Sequence, residues 1–135
     1  MVSKTTEVVY AYLPGDMTGV YDRVLDIIII DPRCDPATRR STEAHERVHA
    51  ERGDSQCEDH WFDAKQERIV ELEAARRLIP VHLLEDGLRW CSSHPEELAH
   101  YLDVDLDMLH ARIETLTDEE KFVLERTLRT LERGA

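Results

Sequence analysis

The sequence predicts an α+β fold: a small N-terminal antiparallel β-sheet packed on a pair of long helices, followed by a compact helical C-terminal region with a helix-turn-helix-like pattern. Three observations lead there. Strand-like stretches are confined to the first 31 residues, where β-branched and aromatic residues cluster between turn-forming Pro, Gly and Asp. From Asp35 onward, prolines and glycines punctuate segments of helical pattern. The chain has 135 residues, 41% hydrophobic and 34% charged, enough for one real core but not for two large domains. The expected organisation is a core over residues 1–90 and a helical region over 91–135, compatible with one compact domain.

Each element has its own local signal. Glu7 to Leu13 reads as a strand stopped by Pro14-Gly15-Asp16. Gly19 to Tyr21 and Val24 to Asp31 read as two more strands joined across Asp22-Arg23, and the unbroken apolar run of the last implies burial on both faces. Asp35-Pro36 is an N-cap followed by proline at the first helical position, so a helix is expected from Pro36 to Arg52, stopped by Gly53. A second helix should run from Glu58 to Ile79 and end at Pro80, with Ala74 and Ala75 marking a close helix approach. Val81 to Trp90 is a short amphipathic segment, and Cys91-Ser92-Ser93 a break. Pro95 to Leu102, a turn at Asp103-Val104, and Leu106 to Leu116 capped by Asp105 give the helix-turn-helix pattern. Thr117 and Glu120 form a capping box that opens a last helix carrying Phe122, Leu124, Leu128 and Leu131.

Composition narrows the function classes. The formal charge is −12, which repels phosphate backbones and suits a cationic partner better than nucleic acid. From His94 to Glu120 the only Lys or Arg is Arg112, and the candidate recognition helix offers Asp107 and Glu114 where a DNA reader would present Arg, Lys, Asn or Gln. No apolar run approaches the roughly eighteen residues of a membrane span, and Ile27 to Ile30 is too short for a signal-peptide core, so a cytoplasmic protein is expected. Cys34, Cys57 and Cys91 are scattered without a CxxC pair and read as reduced thiols.

The chemistry concentrates in His45-Glu46-Arg47-Val48-His49, an HExxH pattern. On a helix, residues four apart share a face, so His45 and His49 can offer two imidazoles to one metal ion with Glu46 beside them as a base. The first helix has a thin apolar stripe of Ala37, Ala44 and Val48, as expected if part of that stripe is given over to the histidines. Zinc chemistry needs a third protein ligand and an open position. Glu67, an acid on the otherwise apolar face of Ala64, Ala74, Ala75 and Leu78, is the leading choice, since an ionised carboxylate is rarely buried without a partner. Glu71, one turn on, is the runner-up or an orienting partner for a ligand, and His60 a further option. No oxyanion donor stands out; Tyr101 and the remaining histidines qualify by residue type alone.

Residues from about Gly19 to Pro80 resemble the ImmA/IrrE family of metallopeptidases. The likeness is carried by Arg39-Arg40-Ser41-Thr42, His45-Glu46, His49, Gln66-Glu67-Arg68, Ala74-Ala75 and Leu78-Ile79-Pro80, in the family's order and spacing. Val70 and Glu73 depart from the usual residue types of the second helix. The resemblance implies a zincin-like helix pair, Zn2+ as cofactor, Glu67 as third ligand beside His45 and His49, Glu46 as catalytic base, and an endopeptidase whose substrate is a regulatory protein such as a basic DNA-binding repressor. Two alternatives differ in class. One is a non-catalytic metal-binding regulator acting through protein–protein interaction; the other is a DNA-binding adaptor using the C-terminal helices, against which the acidic charge counts.

Overall fold

The computed structural model describes residues 6–53, 60–91 and 94–134. Strands β1 (Glu7–Tyr10), β2 (Gly19–Asp22) and β3 (Ile27–Ile30) lead. Helices α1 (Pro36–Arg52), α2 (His60–Leu78), α3 (Val81–Cys91), α4 (Pro95–Leu102), α5 (Leu106–Glu114) and α6 (Asp118–Gly134) follow. The α+β class is as the sequence predicts.

The sheet differs in one respect. β3, the most apolar strand, takes the centre in the order β1-β3-β2. β2 and β3 form an antiparallel hairpin with Tyr21 opposite Ile28, but β1 runs parallel to β3 with Val8 opposite Ile28, so the sheet is mixed rather than wholly antiparallel. The Pro14-Gly15 turn does not fold the chain back as a hairpin; residues 11–18 carry it past β3 to the far edge, where β2 begins. Asp31, only 3% exposed, ties this connection down. Its carboxylate accepts from the Leu13 N–H at 3.0 Å and from Arg33 Nη2 at 2.6 Å, and its own N–H donates to the Thr18 carbonyl at 2.9 Å.

Two strand expectations are trimmed for local reasons. Val24 and Leu25 do not start β3. The Asp22 carboxylate accepts from both their N–H groups, at 2.9 and 3.1 Å, and Asp26 adopts φ 52°, which closes a turn that leaves both side chains exposed. Nor is β3 equally buried on both faces: Ile28 and Ile30 are fully buried whereas Ile27 and Ile29 are only partly covered, because α1 packs on the sheet from one side.

Helix α1 starts and stops where its caps dictate. The Asp35 carboxylate accepts from the Thr38 N–H at 2.8 Å, Pro36 occupies the first turn, and Gly53 ends the helix at φ 70°. α2 packs on α1 and α5, with Val70, Ala74 and Ala75 completely buried. The core is one continuous cluster running from Val48, Ala75 and Ile79 through Leu84 to Leu98, Leu109 and Leu124, on both sides of residue 90. Asp103, at φ 57°, turns α4 into α5 around the buried Val104. α5 ends at Glu114, short of the expected Leu116, and spends Met108, Leu109, Ala111 and Arg112 on the interior. The capping box of α6 is reciprocal: Thr117 Oγ1 accepts from the Glu120 N–H at 3.1 Å, and Glu120 Oε1 from the Thr117 N–H at 3.0 Å.

Arg40 and Ser41 bind the C-terminal region to α1. Arg40 Nη1 donates to the Leu102 carbonyl at 2.7 Å, and the Asp105 N–H donates to Ser41 Oγ at 3.1 Å. Cys34 and Cys91 are free thiols, while Cys57 lies outside the described residues. Among the described residues, no helix is long and apolar enough to cross a membrane.

Candidate metal centre

The HExxH residues sit in the middle of α1, on the face turned toward α2 and β2. Helical spacing places His45 and His49 one turn apart, with ring centroids 5.0 Å from each other. Glu67, on α2, reaches between them. Its Oε2 lies 2.8 Å from His45 Nε2 and its Oε1 lies 2.8 Å from His49 Nε2. The ligand atoms of the three residues all fall within 4.8 Å of one another, and among the described residues no other His, Cys, Asp or Glu group converges in this way. The side chain of His49 is nearly buried, that of His45 about three-quarters buried, and that of Glu67 half exposed, so the cluster faces solvent from one side.

The donor set fits a zinc-type ion. Two imidazole nitrogens and one carboxylate oxygen make a three-ligand site with room for a fourth position. The 2.8 Å contacts are slightly shorter than the roughly 3.3–3.5 Å that separates neighbouring ligand atoms around tetrahedral zinc, so small side-chain rotations suffice. Hydrogen bonds from His45 first, then from His49, hold the Glu67 carboxyl far below the usual carboxylate range, keeping it ionised.

Glu46 behaves differently. It is nine-tenths buried, and burial pushes its carboxyl above the usual value despite the opposing pull of His45 and His49; the charge of Glu67 adds to the upward push. Among the described residues no side chain bonds to it. A carboxyl raised in this way is suited to taking up and releasing a proton.

Glu71 lies outside the convergent set. Its Oε2 accepts from Arg68 Nη1 at 3.1 Å, and it lines a cleft of about 220 Å³ that also meets His45, Glu46, Thr42 and Thr18. The side chain of His60 lies outside the described residues. Tyr101 packs toward Gly87, and neither it nor His82, His94, His100 or His110 lines the cleft. The sequence reading missed the cleft's other wall, Asp105, Asp107 and Met108 from the start of α5. Asp105 was legible there only as a helix cap.

The floor under α1 is equally specific. Gly19, in β2, lies so close that a Cβ on it would stand 2.3 Å from Thr42 Cγ2 and 3.6 Å from Glu46 Cγ. Thr42 Oγ1 also bonds Thr18 Oγ1 at 3.1 Å, so β2 is seated directly against the helix turn that carries Glu46. Comparison with family models, with curated proteins and with solved structures gave no match for this chain.

Proposed function

We propose that the chain is a zinc-dependent endopeptidase of the ImmA/IrrE type, acting on a regulatory protein. The observation that carries this reading is the meeting of His45 Nε2, His49 Nε2 and the Glu67 carboxylate at one point, beside a buried Glu46 that bonds no other side chain. His45, His49 and Glu67 would hold the ion. Zinc there would supply Lewis acidity, polarising a peptide carbonyl and making a water molecule acidic enough to attack near neutral pH.

The chain's own groups do the rest. Glu46 takes the proton of the attacking water and hands it to the leaving amine, a role that suits its raised carboxyl. Glu67 stays ionised, so its carboxylate is ready to exchange its contacts with the two imidazoles for a place beside them on the ion. Burial of His49 and Glu46 on the inner side of the cluster limits the water that reaches the reacting atoms.

Metal content tests the reading. Protein purified without chelator should hold about one zinc per chain by the three-ligand logic. His49→Ala and Glu67→Ala should lose it, whereas Glu46→Gln and Glu71→Ala should keep it. Zinc-loaded wild type should then cleave a randomised peptide library that Glu46→Gln leaves intact. A wild type that binds no zinc even after it is added back overturns the proposal. Zinc binding without cleavage of the library or of candidate repressors would instead support the non-catalytic metal-binding regulator.

A further inference from the structure

The cleft beside the metal cluster has a chemical character that the peptidase reading leaves unused. It is walled by α1 through Ser41, Thr42 and His45, by α2 through Glu71, and by the first turn of α5 through Asp105, Asp107 and Met108. Glu46, nine-tenths buried and drawn on by the Tyr21 N–H, opens onto the same space. Four carboxylates from three helices thus border one hollow of about 220 Å³, and no Lys or Arg lines it.

Their surroundings show which of these charges stay available. Arg68 bonds Glu71 at 3.1 Å and also pairs with Glu114, so one guanidinium is shared between two carboxylates. Asp105 uses one oxygen to accept from the Met108 N–H at 2.8 Å. Its carboxyl is nevertheless pushed upward, by burial first and then by the charges of Asp107, Glu71 and Asp35. Asp107 is exposed and has no hydrogen-bond or ion-pair partner among the described residues. The α5 wall is therefore a place of uncompensated negative charge.

A second metal ion is not the matching ligand. These carboxylates line the hollow without their oxygens converging, and the only convergent group among the described residues is His45, His49 and Glu67. Dispersed acids along a slot beside a reacting centre suit a long, flexible cation with several donors. We propose that this cleft is the subsite for a Lys or Arg side chain of the polypeptide substrate, next to the bond to be cut, with Asp105 and Asp107 as its specificity-determining residues. This inference rests on the peptidase reading for the position of the bond, but not for the recognition itself.

The test has two arms. In the first, zinc-loaded wild type, Asp105→Asn and Asp107→Asn digest a randomised peptide library, and mass spectrometry counts the residues flanking each cut. Asparagine remains a good N-cap, so Asp105→Asn removes charge while the start of α5 is kept. Lys and Arg should be enriched at one flanking position in wild type. The enrichment should fall about threefold in each variant and about tenfold in the double variant, as expected for partly exposed ion pairs.

In the second arm, 15N-labelled protein in chelator, which prevents cleavage, is titrated with two peptides that differ only in a central Lys or Leu. The Lys peptide should shift the amide signals of Asp107 and Met108 at 0.15 M salt and bind several-fold tighter than the Leu peptide. That preference should shrink in both variants. Equal binding of the two peptides, or a preference the variants leave unchanged, overturns the subsite. Cleavage without basic preference overturns the subsite and leaves the peptidase reading standing. Lys-selective binding with no zinc uptake and no cleavage does the reverse.

Discussion

Replacing Arg112 by Met removes a guanidinium that is 2% exposed and holds three parts of the chain together. Its Nε donates to the Ile79 carbonyl at 2.6 Å, its Nη1 to Thr115 Oγ1 at 3.1 Å, and its Nη2 to Glu120 Oε2 at 2.7 Å. Methionine fills much of the same volume, so the packing loss is small. The cost lies in the groups left behind. A buried carbonyl without its donor loses about 1–3 kcal/mol, and breaking a buried ion pair from one side costs about 3–5 kcal/mol in all. Glu120 is 18% exposed and keeps the Thr117 N–H, so part of its charge can rehydrate, which points to the lower end, about 3 kcal/mol. Adding Glu120→Gln should recover roughly 1 kcal/mol, because the neutral amide is less costly to strand than the carboxylate. Urea unfolding at pH 7, followed by far-ultraviolet circular dichroism at constant slope, measures both. A single-variant loss below about 1 kcal/mol, or strictly additive effects, would show that the clasp does not hold the helices as argued.

The same pair sets an acid limit. Hydrogen bonds from Arg112 first, then from the Thr117 N–H, lower the Glu120 carboxyl to about 2 from an unfolded value near 4.5. Its contribution to stability is therefore complete above about pH 4.5 and is lost as pH falls toward 2; in an Arg112→Met protein, where only the Thr117 N–H still holds the carboxylate, this step in the pH–stability profile should be smaller. Gly19→Ala should cost about 1–3 kcal/mol, because the new methyl group meets Thr42 Cγ2 at 2.3 Å and the Ile29 carbonyl at 3.2 Å. An unchanged melting temperature would contradict the close seating of β2 on α1. Zinc at about a thousandfold its Kd should stabilise wild type by roughly 4 kcal/mol, a rise in melting temperature on the order of 10 °C. His49→Ala should show no such rise, and equal rises in both proteins would place the ion elsewhere.

What could be anticipated from the chain alone follows the range of the interactions involved. α1 was legible to the residue because Asp35, Pro36 and Gly53 act on their own neighbours. His45 and His49 were legible because four-residue spacing is a property of the helix itself. Glu67 needed a longer argument, from an acid on an apolar face and from family resemblance, and the structure places its carboxylate between the two imidazoles. The parallel pairing of β1 was hidden because strand order depends on where residues 11–18 lead, and turn chemistry at Pro14-Gly15 does not encode it. Arg112 stood out only as the one base of an acidic stretch, because its buried partner is a carbonyl 33 residues earlier in the chain. The acidic cleft was invisible for the same reason, since α1 and the start of α5 meet across 64 residues at Ser41 and Asp105.

Helix α5 presents two faces with opposite obligations. Met108, Leu109, Ala111 and Arg112 are locked into the interior, whereas Asp107, His110 and Glu114 look outward. Of the outward residues Asp107 borders the cleft, so a substitution there can change what the cleft admits without disturbing what the core requires. Such a layout lets a lineage retune its preferences by single steps, each nearly neutral for folding. Drift at Asp107, with the inward positions held, is the pattern to expect among descendants of this sequence that meet different partners.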